Sequence, residues 1–187
     1  MSIRSGSKSA LLVVDVQVGV VADAWDRDRV VANVALAVRR AREAGLAIIW
    51  VQHHDEELKR NTAAWQWVAE LEPRPEDLRV HKGYNSAFEG TELGSELDRL
   101  GVSRIFLAGA ATNWCIRATA YGALERGFDV TLRSDAHTTK DMELAPGRLV
   151  EARSMVDDLN TAMRWLAYPG RVNAAVPAAE VAFASPS

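Results

Sequence analysis

Three side chains of different chemistry stand beside apolar runs in this chain. Asp15 lies near the end of ALLVVDV (10–16), Lys82 follows LRVH (78–81), and Cys115 comes shortly after RIFLAG (104–109), within GAATNWCIRAT. Each has an ordinary explanation when taken alone. A carboxylate at a strand end can simply cap or pair with a cation, and a loop lysine is usually a solvated charge. A lone cysteine is usually a buried small hydrophobe. The surroundings of Cys115 argue otherwise. Gly109, Ala110 and Ala111 predict a tight turn, and Thr112 or Asn113 is placed to cap the helix that follows. Cys115 then falls in the first helical turn, where unpaired N–H groups and the helix dipole favour an anion. A thiolate there, with a lysine nearby, is a nucleophile, and the same N–H groups can receive a developing oxyanion.

That chemistry requires the three residues to meet at one edge of a sheet, and the patterning supplies such a sheet. Runs 10–16, 46–52 (LAIIWVQ), 78–81, 104–109 and 128–132 (FDVTL) read as five strands; the first is β-branched and continuous, as a buried parallel strand is, and 78–81 carries the weakest pattern. Between them, Val30, Val34, Val38 and Ala41 recur at helical spacing and Gly45 supplies a stop. Thr91 is expected to cap a short helix carrying Leu93, Leu97 and Leu100, and 113–126 forms the next helix. Leu149, Ala152, Val156, Leu159, Met163 and Leu166 make one apolar seam, with Pro146 near its start. The tail beyond Pro169 is expected either to add a short sixth strand or to dock on a neighbouring subunit. The fold class is therefore α/β: a three-layer α/β/α domain over residues 1–187, with an open, mainly parallel sheet of about six strands and helices on both faces. Ligands of such sheets bind beyond the carboxyl ends of the strands, where the winding reverses.

Composition agrees with one globular domain. The chain has 187 residues, 48% hydrophobic and 25% charged, with a formal net charge of −3. No basic stripe invites nucleic acid, and no apolar run is long enough to span a bilayer. The polar opening MSIRSGSKSA lacks the apolar segment of a secretory signal, so the reading is a cytoplasmic protein acting on a small-molecule substrate. One cysteine excludes an internal disulfide.

Three segments together resemble the isochorismatase-like cysteine hydrolases, which include nicotinamidases and N-carbamoylsarcosine amidase. They are LLVVDVQ, KGYNSAFEGTEL and GAATNWCIRATAYGALERGFDVTLRSDAHTT, and the resemblance covers roughly residues 10–168. It implies a triad of Asp15, Lys82 and Cys115, a cis peptide between Ala110 and Ala111, and an oxyanion hole formed by the N–H groups of Ala111 and Cys115. It implies cleavage of a C–N bond in a small amide or ureido substrate through a thioester, in a homo-oligomer, dimer or tetramer. Alternatives are a vinyl-ether hydrolase of isochorismatase type, which needs no thiol, and a non-catalytic binding or assembly homologue.

Nicotinamidases carry a metal-binding Asp-x-His after the second strand, and here the segment reads VQHHDEE. Adjacent histidines on a strand point to opposite faces, so His53 and His54 are not expected to share a metal. No metal and no cofactor are therefore expected. His53 instead is expected to line the substrate pocket, with Trp25 and Trp114 as further pocket walls, while His54 is read as a solvent-facing or interface residue. His81 and His137 are read as structural, with His137 opening a loop after the fifth strand. Trp50 and Trp165 are assigned to core or interface packing. Gln17 receives no role.

Overall fold

The computed structural model describes residues 3–180. Eight strands and five helices alternate along it: β1 (Lys8–Val14), α1 (Val18–Val21), α2 (Arg27–Glu43), β2 (Ala47–His53), β3 (Leu78–Lys82), α3 (Leu93–Leu100), β4 (Val102–Ala110), α4 (Arg117–Glu125), β5 (Asp129–Thr138), β6 (Met142–Ala145), β7 (Arg148–Val150), α5 (Ala152–Trp165) and β8 (Asn173–Val176). Six strands form one parallel sheet in the order β3-β2-β1-β4-β5-β8. Leu12, Val14, Ile105 and Leu107 turn one face of it toward Leu93 and Leu97 of α3, Ala120 and Leu124 of α4, and Leu159 and Met163 of α5. Leu11, Val13, Trp50 and Phe106 turn the other toward Val30, Val34, Val38 and Ala41 of α2. This is the expected three-layer fold, and the apolar tail supplies the sixth strand as β8. Residues 181–187 of that tail lie outside the described residues. Among the described residues, no helix is long and apolar enough to cross a membrane.

Several expected boundaries move, each for a physical reason. The seam begun at Leu149 starts only at Ala152, because Pro146 and Gly147 (φ 74°) make the turn of the β6–β7 hairpin instead of opening the helix. Leu149 consequently lies on β7, 57% exposed, and the backbone N–H of Ala152 donates to Asp141 Oδ1 at 2.7 Å. Glu92 occupies the cap position of α3, and Thr91, one residue before it, still accepts the N–H of Leu93 on its hydroxyl oxygen at 3.3 Å while donating to the Ala87 carbonyl at 2.6 Å. Trp50 is core, but Trp165 is 81% exposed.

The fifth strand runs to Thr138 and takes in SDAHT (134–138), so His137, read above as opening a loop, lies within the strand. Its polar letters conceal a buried strand whose side chains find partners. His137, fully buried, receives a hydrogen bond on Nδ1 from the Thr112 hydroxyl at 2.9 Å and donates from Nε2 to Asn160 Oδ1 at 3.2 Å. Asn160 donates in turn to the Ser134 carbonyl at 2.9 Å, which fixes that tautomer.

The sheet is tightest where β1 meets β4. Gly109 has φ 130°, and a Cβ there would stand 1.9 Å from the Val14 carbonyl oxygen. Backbone cannot yield as a side-chain tip can, so Gly109→Ala is expected to destabilise the fold by more than about 3 kcal/mol in urea denaturation.

His137 gives a second expectation. Burial pushes it down to about 4, so on acidification the unfolded chain, with an ordinary histidine near 6.5, takes up a proton first. Stability is complete above about pH 6.5 and falls by roughly 3 kcal/mol as the pH drops to about 4. His137→Gln should flatten that part of a stability–pH curve.

Candidate active site

The chain winds outward one way through β1, β2 and β3 and the other way through β4, β5 and β8, so the winding reverses between β1 and β4. Asp15 follows β1 directly, in a left-handed conformation (φ 52°), with its N–H donating to the Val51 carbonyl at 2.9 Å. Lys82 is the last residue of β3, a strand residue and not a loop residue, and it pairs in register with His53 at the end of β2. Cys115 lies beyond β4. The helix expected from Asn113 is in two parts: Thr112–Ile116 form a π-helical turn, and α4 begins at Arg117. Ala111 precedes that turn, and neither Thr112 nor Asn113 caps it through a side chain. Their side chains are engaged elsewhere, Thr112 with His137 and Asn113 Oδ1 as acceptor for the Thr139 hydroxyl at 2.6 Å. The Ala110–Ala111 peptide is cis.

The three chemical groups meet. Lys82 Nζ is 2.6 Å from Asp15 Oδ2 and donates to Cys115 Sγ at 3.2 Å and to the Tyr84 carbonyl at 3.1 Å. His53 Nδ1 lies 3.4 Å from the same nitrogen. Asp15 and Lys82 are each 1% exposed and Cys115 9%. Water cannot neutralise charges buried this deeply, so the ammonium and the carboxylate depend on one another.

Electrostatics correct one expectation. The helix start and the lysine were expected to hold Cys115 as a thiolate. Burial, reinforced by the neighbouring Asp15 carboxylate, instead pushes the thiol up to about 12, and the Lys82 charge offsets only part of this. Burial also raises the Asp15 carboxyl against the opposing pull of Lys82. The sulfur therefore carries its proton at rest.

His53 is placed against Lys82 and not out toward solvent; its Nε2 lies 3.0 Å from Asp55 Oδ2. His54 diverges to meet Arg60 at 2.6 Å, as alternation along a strand requires. Among the described residues, no group of three or more His, Cys, Asp or Glu side chains is arranged to hold a metal ion. Trp114 is 53% exposed next to Cys115. Trp25, whose N–H donates to the Thr139 carbonyl at 2.8 Å, lines a cleft of about 300 Å³ with Arg29, Asp135 and His137; Asp15, Lys82 and Cys115 do not line that cleft, so Trp25 is not brought to the cluster as a pocket wall.

Gln17, given no role above, is fully buried and acts as a clamp. Its amide nitrogen donates to the carbonyls of His53 (3.0 Å) and Trp65 (2.9 Å), while Oε1 accepts from the His53 N–H at 2.9 Å. The spacing Asp15-x-Gln17 after an apolar strand was the available signal. Thr119, which accepts the Ala87 N–H at 3.0 Å and ties the loop after Lys82 to α4, had none.

A doubly wound parallel sheet with a thiol, a carboxylate and an ammonium at its switch point defines a class of α/β proteins built around a cysteine site. The chain belongs to the isochorismatase family: the model for the isochorismatase domain matches residues 9–162. A streptothricin hydrolase of Streptomyces noursei is 37% identical over 145 residues, covering 74% of this chain and 57% of the relative. The chain thus spans little more than half the length of the streptothricin hydrolases it matches. The isochorismatase family protein YecD of Escherichia coli O157:H7 is 28% identical over 179 residues, 81% of this chain and 95% of the relative. In fold, a cysteine hydrolase from Pseudomonas syringae superposes with a TM-score of 0.82 at 21% identity, covering 97% of this chain and 96% of that one.

Asp15→Asn removes the negative neighbour while Lys82 stays, so the Cys115 thiol should become more acidic. Titration of the ultraviolet thiolate absorbance is expected to show its midpoint moving down relative to the unaltered protein; an unmoved midpoint would mean that Asp15 does not act on the sulfur.

Proposed function

We propose that this chain is a cysteine hydrolase that cleaves a C–N bond of a small amide or ureido substrate through a thioester on Cys115. The observation that carries this reading is the convergence of Asp15, Lys82 and Cys115 from three separate strand ends into one buried cluster, with contacts of 2.6 and 3.2 Å about Lys82 Nζ. Membership of the isochorismatase family and the similarity to a streptothricin hydrolase support it.

In this mechanism the thiol proton passes to Asp15 as the sulfur attacks the carbonyl carbon, forming the C–S bond. The resulting oxyanion is received by the N–H groups of Ala111 and Cys115. Asp15 returns the proton to the leaving nitrogen, the C–N bond breaks, and an amine or ammonia departs. Water then attacks the thioester with Asp15 again as base, and the proton goes back to the sulfur as the C–S bond breaks. Lys82 keeps the carboxylate and the developing thiolate neutralised throughout. A sulfur that carries its proton at rest suits this scheme, because the nucleophile forms only when a substrate accepts it. Trp114, beside Cys115, serves as a pocket wall, and specificity depends on loops rather than on the triad. The exposed Trp165 and Leu149 offer apolar surface for the dimer or tetramer that the resemblance implies.

A panel of small amides and ureides, assayed for amine or ammonia release, tests the reading. Cys115→Ala is expected to abolish release, by at least about 10³-fold, while the protein remains folded by circular dichroism. Unchanged turnover in that variant contradicts the mechanism.

A further inference from the structure

Lys82 Nζ has three protons and four neighbours able to accept them. Asp15 Oδ2 stands at 2.6 Å, the Tyr84 carbonyl at 3.1 Å, Cys115 Sγ at 3.2 Å and His53 Nδ1 at 3.4 Å. The fourth belongs to a side chain outside the triad, and its orientation is imposed from three sides. Its backbone is gripped on both polar groups by the Gln17 amide, at 2.9 and 3.0 Å. Its strand position is paired with Lys82 itself. The far edge of its ring meets Asp55 Oδ2 at 3.0 Å. Asp55 is fixed in turn, because its Oδ1 accepts the N–H groups of Glu57 (2.9 Å) and Leu58 (2.7 Å). Those bonds, the Leu58 one foremost, with His53 adding to them, hold its carboxyl below the usual carboxylate range.

We propose that Asp55 and His53 are positioning residues for Lys82: Asp55 holds the imidazole proton on Nε2, so that Nδ1 offers its lone pair to the Lys82 ammonium. A proton on Nδ1 would instead point at that ammonium. The charged groups about the ring are Lys82 and Asp15 on one side and Asp55 on the other. Adjacent His54 turns away toward Arg60. This proposal rests on the hydrolase reading and extends it to the second half of the reaction. The resting and developing sulfur accepts one Nζ proton. Once the sulfur is acylated it becomes a poor acceptor, and His53 Nδ1 takes up the bond it releases. Lys82 then stays beside Asp15 while water attacks the thioester. The acceptor matters most for deacylation.

Three variants separate this role from a merely structural one. His53→Leu removes the acceptor. His53→Asn keeps an oxygen near the Nδ1 position. Asp55→Asn keeps the loop, since the amide oxygen remains with the Glu57 and Leu58 N–H groups, but it turns an NH₂ toward Nε2 and so drives the ring proton to Nδ1. With whichever small amide the protein turns over, His53→Leu and Asp55→Asn are expected to lower kcat about tenfold with little change in kcat/KM, so that KM falls too and acyl-enzyme accumulates. His53→Asn should keep most of kcat. Imidazole ¹⁵N shifts should show Nε2 protonated in the unaltered protein and Nδ1 protonated in Asp55→Asn. An Nδ1 proton in the unaltered protein overturns the proposal, as does an unchanged kcat in His53→Leu or an equal fall of kcat and kcat/KM in all three variants. If the unaltered protein hydrolyses no member of the panel, the hydrolase reading fails separately, and the ¹⁵N shifts alone decide whether the Asp55–His53 pair holds Lys82.

Discussion

A lysine ammonium cut off from water must be neutralised by protein groups, and the site is organised around meeting that demand for Lys82. With 1% of its surface exposed, its charge is balanced by an equally buried Asp15 at 2.6 Å and its remaining protons by a carbonyl, a sulfur and an imidazole nitrogen. Removing one member of such a pair typically costs about 3–5 kcal/mol. The cluster therefore persists only because the sheet brings β1, β3 and β4 to a common edge. What the arrangement yields is a buried thiol and a buried carboxyl group held beside one fixed positive charge.

The scaffold answers that demand through close backbone approaches and through polar side chains locked by hydrogen bonds. Gly109 lets β4 press against the Val14 carbonyl, one residue before Asp15. Gln17 clamps the end of β2, and β2 carries the residue paired with Lys82. On the opposite side, Thr112 is held through His137 to Asn160, which joins the turn bearing Cys115 to both β5 and α5. Each of these residues fixes the backbone or side chain of a segment that carries a member of the cluster or adjoins one.

Much of this was legible in the sequence. Continuous apolar runs gave the strands around the switch point, and the placement of Asp15, Lys82 and Cys115 at their ends gave the cluster, because a parallel sheet necessarily gathers its carboxyl ends at one edge. What stayed hidden depended on three-dimensional partners. The end of β5 looked like a loop because Ser134, Asp135 and His137 are polar, and only their buried bonds make a strand of them. Pro146 and Gly147 fit a helix start as well as a hairpin turn, and the hairpin won. The state of the sulfur is hidden for a different reason: a helix start and a lysine favour the anion, but their effect is outweighed by the adjacent carboxylate and, above all, by a depth of burial that has no signature in the local sequence.

The most direct test of the central claim is the titration of the Asp15 carboxyl by ¹³C NMR, in the unaltered protein and in Lys82→Met. The account predicts a midpoint above the ordinary aspartate value near 3.9, moving further up when the lysine charge is removed. An ordinary midpoint that ignores the loss of Lys82 would contradict the claim that these two charges are buried together and control the proton on Cys115.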